Sequence, residues 1–195
     1  SFGDDNRNFS KSLIEKLKSI NLNYEVIENE ELEKIYIMII DKLFLDNQKI
    51  GASERTDVWE RGWRENLDNF LSEPNDEKTL IPKFIRPGLP IRFFQSFIKT
   101  ENPMFELDYF KIYRQWLFEK YLNNYDHIYE FGCGTGFNLL EGCRMFKEKN
   151  FYGSDFVRSS VKLVNEISKK FNLNLQSELF DFVNPNFQYE IKEKI

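Results

Sequence analysis

The segment Tyr129–Gly136, which reads YEFGCGTG, most constrains the fold because it predicts a strand that turns sharply into a helix. The residues His127 to Tyr129 are apolar and aromatic, as in a buried strand, and Leu139, Cys143 and Phe146 then recur at helical spacing. Glycines at such a turn let the backbone bend tightly and let a ligand approach the main chain. The helix N-terminus adds unpaired N–H groups and a partial positive charge. The segment therefore predicts a ligand cradle.

Two glycine patterns could describe this cradle. The dinucleotide-binding pattern G-x-G-x-x-G requires glycine or alanine at position 137 or at position 139, depending on where it starts, and these positions hold Phe137 and Leu139. The pattern that is present is E-x-G-x-G-x-G, in which Glu130 ends the strand. A tight turn without any ligand is the remaining alternative.

The pattern E-x-G-x-G-x-G resembles the first motif of class I S-adenosylmethionine (SAM) dependent methyltransferases. The resemblance extends over residues 107–181. It implies that Glu130, Gly132 and Gly134 line the methionine end of SAM. Two further residues, Cys133 and Gly136, would belong to the same cofactor-binding turn.

A second strand is predicted over residues 150–154, followed by an acidic residue, Asp155. This carboxylate lies nineteen residues after Gly136, near the spacing at which nucleotide-binding folds place a ribose-binding acid. A carboxylate can accept a hydrogen bond from each ribose hydroxyl. Phe156 follows at once and could lie on the adenine face.

A helix over residues 159–171 and a third strand over 175–180 are predicted next, and the strand is followed by Asp181 and Phe182. The resemblance implies that Asp181 accepts a hydrogen bond from the adenine amino group, with Phe182 beside it in the cofactor site. Taken singly, Asp155 and Asp181 are more typical of solvated loop carboxylates. Acidic residues at three successive strand ends together favour a cofactor site.

The predicted fold class is α/β, a partial Rossmann-like methyltransferase sheet of three parallel strands in the order third-second-first, preceded by an α-helical region. We expect a helical N-terminal region over residues 1–78, a connector over 79–106 and a SAM-binding domain over 107–195. Apolar residues at helical spacing predict three helices before residue 72. Proline and glycine interrupt regular structure between residues 81 and 102.

The resemblance implies a sheet of seven strands, of which only three can be counted. The first residue is Ser1 rather than methionine, the segment 184–187 reads as a turn, and residues 190–195 read as the start of a helix. We therefore expect a truncated chain that is incomplete for catalysis. The first strand would have an open edge, which the N-terminal helices, a second copy or missing strands would cover.

The composition of the chain limits the classes of partner that it could bind. The net charge of −5 argues against a duplex nucleic-acid surface, which should be basic. Two cysteines give no disulfide framework, and a lone His127 makes a metal site improbable. The longest apolar run, residues 35–40, is too short for a membrane span. A cytoplasmic protein is expected; its oligomeric state is open, with a homodimer as one option.

The interpretation is a SAM-dependent methyltransferase, or its cofactor-binding portion, that acts on a small-molecule or sugar-type acceptor. SAM carries an activated methyl group, so the protein mainly supplies positioning. No catalytic base is assigned. A noncatalytic scaffold that binds a partner is the alternative, and a nicotinamide-dependent oxidoreductase is disfavoured by Phe137 and Leu139.

Overall fold

The computed structural model describes residues 9–45, 55–82, 85–185 and 191, which form two compact units. The first unit combines the chain before residue 50 with residues between 84 and 121, and the second combines residues between 50 and 83 with those after 121. The boundaries of these units differ from those of the predicted domains, because the helix that ends at Ser72 lies in the same unit as the glycine segment. The helix start predicted at 190–195, apart from Ile191, and residues 186 and 187 of the predicted turn lie outside the described residues.

The first unit contains three helices and a small antiparallel sheet. Its elements are α1 (Lys11–Ser19), β1 (Tyr24–Val26), α2 (Asn29–Leu45), β2 (Ile91–Phe93), β3 (Ser96–Thr100) and α4 (Phe105–Tyr121). The strands lie in the order β1-β3-β2. Helices α1 and α2 were predicted, whereas the sheet was not.

The hairpin of β2 and β3 explains why sequence reasoning missed this sheet. Its two-residue turn places Phe94 at φ 53, a left-handed conformation that glycine or asparagine usually adopts. Aromatic packing compensates, because the Phe93 ring contacts Phe105 and Tyr109 with centroid separations of 6.0 and 5.4 Å. Nearby prolines also made the segment read as a connector.

The second unit is an α/β structure with a Rossmann-like parallel sheet. Its elements are α3 (Thr56–Ser72), a 3-10 turn (Glu77–Leu80), β4 (His127–Phe131), α5 (Phe137–Met145), β5 (Asn150–Asp155), α6 (Arg158–Phe171) and β6 (Leu175–Leu179). The strands are parallel and lie in the order β4-β5-β6. The prediction of three parallel strands in the order third-second-first is thus confirmed.

One apolar core joins the helices of this unit to its sheet. The buried residues of this core are Leu67, Phe70, Leu80, Cys133, Leu139, Leu140, Cys143, Phe151, Leu163, Val164, Ile167 and Leu175. Three of them come from α3 and the 3-10 turn, and the amide of Asn66 donates to the carbonyl of Thr79 at 2.6 Å to hold that turn. Helix α3 is therefore built into the same core as the glycine segment.

Strand β4 lies at one edge of the parallel sheet. Within the described residues, no strand pairs with its outer side. What covers this edge stays a prediction. In the part of the chain that the structure describes, no helix has the length and apolar character needed to cross a membrane.

Candidate ligand-binding site

The turn between β4 and α5 depends on its glycines. Gly132, Gly134 and Gly136 have φ values of 76, 54 and 71, all in the left-handed region that other residues rarely adopt. The N–H groups of Gly132 and Cys133 both donate to the carbonyl of Ser154, at 2.7 and 2.9 Å. The turn is therefore fixed against the end of β5.

The three glycines differ in what a side chain at each position would meet. A Cβ on Gly136 would lie 2.6 Å from Cγ2 of Val164, and a Cβ on Gly134 would lie 3.1 Å from Cζ2 of Trp63. A Cβ on Gly132 would meet no atom within 4 Å. Two glycines thus accommodate the protein's own side chains, whereas Gly132 has open space beside it.

Asp155 ends β5 directly beside this turn. Its side chain is only 4% exposed. One carboxylate oxygen, Oδ2, accepts the N–H of Gly134 at 2.9 Å, and the other, Oδ1, accepts the N–H of Val157 at 3.2 Å. The structure thus brings the predicted ribose-binding carboxylate into direct contact with the glycine turn.

The hydrogen-bonding capacity of Asp155 is only half used. An ionised carboxylate offers about four acceptor positions, and two backbone N–H groups fill two of them. Among the described residues, no cation forms a salt bridge with Asp155, although buried charges are normally paired. Hydrogen-bond donors such as hydroxyl groups are the chemical partners that the remaining positions could accept.

The side chains of Glu130 and Cys133, at the end of β4 and in the glycine turn, have different surroundings. The amide of Asn138, in the first turn of α5, donates to Oε1 of Glu130 at 2.6 Å. The Cys133 thiol is buried, 3.7 and 3.9 Å from the hydroxyls of Ser160 and Ser177. Burial raises the pKa of Cys133 to about 12, so the thiol stays protonated at neutral pH.

The third strand end carries Asp181 and Phe182. Oδ1 of Asp181 accepts the N–H of Val183 at 2.8 Å, and this hydrogen bond holds the pKa of the carboxyl below its usual value. The Phe182 ring is 67% exposed and lies 5.0 Å from the ring of Phe180 and 5.4 Å from that of Phe131. Sequence reasoning missed this ring cluster, although an aromatic residue at each of two strand ends was the available signal.

Parallel pairing brings these residues to one edge of the sheet. Phe131 pairs with Ser154, and Asp155 pairs with Leu179, so all three strands end at the same level. Ligands of open α/β sheets bind outside this carboxyl edge. The half-buried Phe156 follows Asp155 there. A hydrogen bond joins the turn to Asp155, whereas Asp155 and Asp181 form no hydrogen bond with each other in the described part of the chain.

Helix α3 also reaches this edge. Oε2 of Glu60 accepts the N–H of Ser159 at 3.1 Å, and the Ser159 hydroxyl donates to the Glu60 carbonyl at 2.9 Å. Burial raises the pKa of Glu60, but hydrogen bonds from Ser159 and from Arg64 outweigh burial and hold it below its usual value. The spacing of apolar residues predicted a helix here, but nothing in the sequence indicated the contact between Glu60 and Ser159.

The opposite, amino-terminal edge of the sheet holds a cavity of about 310 Å³. Arg144 lines it but pairs with Glu77 and Glu141. Lys149 also lines it and donates to the carbonyls of Asn123 and Tyr125, at 3.0 and 2.7 Å. Arg144 and Lys149 therefore already have partners in the protein, and the exposed Lys147 is a third cation in the lining. No three His, Cys, Asp or Glu side chains in the described ranges are grouped as a metal site.

No protein-family model and no curated protein matches the sequence. Among solved structures, the crystal structure of MccD protein is similar over 38% of this chain and 33% of that chain, at 26% sequence identity and a TM-score of 0.32. The crystal structure of coclaurine N-methyltransferase bound to N-methylheliamine and SAH is similar over 93% of this chain and 51% of that chain, at 14% identity and a TM-score of 0.42. The chain therefore spans about a third and about half of the lengths of these two proteins.

Proposed function

We propose that the protein binds SAM at the turn between β4 and α5 and transfers its methyl group to a small-molecule or sugar-type acceptor. The observation that carries the proposal is the pairing of an open glycine with a half-used buried carboxylate. Gly132 leaves space beside the main chain, and Asp155 keeps acceptor positions for two hydroxyl groups. The glycine pattern that ends with Gly136 adds the resemblance to class I methyltransferases.

The residues present suit the parts of this cofactor. Bound SAM supplies a methyl group on a positively charged sulfur. Asp155 would accept hydrogen bonds from the ribose, and the main chain around Gly132 would contact the methionine end. Phe156 and Phe182 offer apolar ring surface to the adenine, and Asp181 offers it an acceptor. These residues bind and orient the cofactor, which is the main task when the methyl group is already activated.

The acceptor is proposed from charge. The chain has a net charge of −5, which favours a small uncharged or cationic molecule over duplex nucleic acid. The raised pKa of Cys133 removes the one thiol of the turn as a nucleophile at neutral pH. Methyl transfer in this site would therefore not pass through Cys133. The nucleophilic atom of the acceptor would bond to the methyl carbon as the methyl–sulfur bond breaks, and S-adenosylhomocysteine would leave.

Isothermal titration calorimetry tests the proposal. S-adenosylhomocysteine (SAH) should bind, and NAD⁺ should not. The Asp155→Ala substitution should weaken SAH binding by about 1–3 kcal/mol, since it removes a charged hydrogen-bond acceptor. Asp68→Ala is the matched control, because Asp68 is an exposed acidic residue on α3. This variant should bind SAH with the wild-type affinity. Equal affinities of the wild type and Asp155→Ala would contradict the proposed site.

A further inference from the structure

Two backbone N–H groups orient the carboxylate of Asp155, and α3 contacts the chain next to both of them. One N–H belongs to Gly134, in the glycine turn, and the other to Val157, at the start of α6. Helix α3 is more than fifty residues upstream of the turn in sequence, yet it packs in the same core. Its residues Glu60 and Trp63 lie three apart and therefore share one side of the helix.

Glu60 holds the α6 side. Its carboxylate accepts the N–H of Ser159 at 3.1 Å, and its carbonyl accepts the Ser159 hydroxyl at 2.9 Å. Ser159 lies two residues after Val157, the donor to Oδ1 of Asp155. Two hydrogen bonds thus fix the backbone beside that donor. A carboxylate is also well placed at a helix N-terminus, where the helix dipole is positive.

Trp63 holds the glycine side. Its ring fills the place where Gly134 would carry a side chain, with Cζ2 3.1 Å from that position. The ring is only 9% exposed and is stacked on Trp59 at a centroid separation of 5.8 Å. This packing supports the turn where the Gly134 N–H donates to Asp155. Loss of the ring would remove that support without removing any donor.

We propose that Glu60 and Trp63 are positioning residues that act through Asp155 to preorganise the ligand site. The inference rests on the proposed function for its ligand. Helix α3 contacts the backbone at Gly134 and beside Val157, and these two positions donate to the two carboxylate oxygens of Asp155. Preorganisation of this kind increases affinity because the ligand does not have to order the site.

The test is a double-mutant cycle on SAH affinity, measured by calorimetry. The single variants are Glu60→Ala and Asp155→Ala, and the double variant combines them. Glu60→Ala should weaken SAH binding by about three- to tenfold. In the Asp155→Ala background, the same change should have no further effect, because the group through which it acts is gone. Residues that act independently would instead give additive losses.

Two more variants separate positioning from folding. Glu60→Gln retains an oxygen acceptor for Ser159 and should stay within about threefold of the wild-type affinity. Trp63→Phe keeps an apolar ring in the core, so it tests the glycine side if Glu60→Ala fails to fold. It should weaken SAH binding several-fold, and again not in the Asp155→Ala background. Asp68→Ala serves as the control on α3.

Each outcome has a separate meaning. Absence of SAH binding by the wild-type protein would overturn the proposed function, and this inference with it. Wild-type binding together with additive losses in the cycle would overturn the inference alone. So would SAH affinities of Glu60→Ala and Trp63→Phe that equal the wild-type value. Non-additive losses with rescue by Glu60→Gln are the expected result.

Discussion

The two edges of the parallel sheet differ in how completely their buried charges are satisfied. At the amino-terminal edge, Lys149 is buried, and its ammonium group donates to two main-chain carbonyls. At the carboxyl edge, the equally buried Asp155 accepts two N–H groups and keeps acceptor positions in reserve. A cavity of about 310 Å³ lies at the amino-terminal edge. At the carboxyl edge, Gly132 leaves open space beside the main chain.

The presence of a cavity does not by itself make a binding site. Arg144 and Lys149 already have partners in the protein, so a ligand that paired with them would have to replace existing interactions. A buried carboxylate with unused acceptor positions offers a charge-assisted hydrogen bond at small cost. We therefore expect Lys149 to contribute mainly to stability, and we place the proposed ligand site at the carboxyl edge.

The largest effect is expected within the glycine turn. Gly136→Ala should lower the free energy of unfolding by about 2–4 kcal/mol, because it combines a clash with Val164 and an unfavourable left-handed φ. Gly132→Ala carries only the backbone strain, about 1–2 kcal/mol, but its methyl group enters the open space. Urea unfolding measures the first quantity, and SAH titration should show Gly132→Ala to be at least fivefold weaker.

Gly62→Ala is the control for these two variants. Gly62 lies in α3, and a Cβ there meets no atom within 4 Å. The change should stabilise the protein by up to about 1 kcal/mol, the difference in helix propensity. SAH binding by Gly132→Ala at wild-type strength would show that the open space beside this glycine is not used by the ligand.

A smaller effect is expected at the amino-terminal edge. Lys149→Met should lower the free energy of unfolding by about 1–3 kcal/mol, because the carbonyls of Asn123 and Tyr125 lose their donor. SAH affinity should stay at the wild-type value. Urea unfolding and calorimetry on the same sample test both statements. A loss of SAH affinity as large as that of Asp155→Ala would break the division between the two edges.

The smallest effect concerns pH. Hydrogen bonds from Ser159 and Arg64 outweigh the opposing effect of burial and hold the pKa of Glu60 below 4.5, its ordinary value. Stability from this lowered pKa is fully present above 4.5 and is lost as pH falls through the folded-state value. The carboxylate is partly exposed, so the loss should be under about 1 kcal/mol. Urea unfolding at pH 7 and below pH 4 gives the decrease in the free energy of unfolding between the two pH values. This decrease should be smaller for Glu60→Gln than for the wild type, and equal decreases would contradict a lowered pKa of Glu60.

The parallel sheet could be predicted because its signals are local. Each signal lies within about ten residues of sequence. These signals are the glycine turn, the alternation of strands and helices, and the acidic residue at the end of β5. The position of Asp155 beside the turn followed from the rule that parallel strands end at one edge. Its hydrogen bond to Gly134 needed the structure, because the rule fixes the edge and not the atoms.

The role of α3 and the sheet of the first unit could not be predicted in this way. Glu60 contacts Ser159 ninety-nine residues further along the chain, and its neighbours in sequence reveal nothing of that partner. The β2–β3 hairpin turns at Phe94, a residue type that turn statistics disfavour. In both places tertiary packing decides the structure, and the linear pattern records only which residues are apolar.

A crystal structure of the protein with SAH would show which edge of the sheet binds the ligand. We expect the ribose hydroxyls to contact Asp155, with oxygen–oxygen distances of about 2.5–2.7 Å, the range of charge-assisted hydrogen bonds. We also expect the ligand to lie over Gly132 and the contact between Trp63 and Gly134 to be unchanged. SAH in the cavity beside Arg144 and Lys149, or a ribose that does not contact Asp155, would contradict the proposed site.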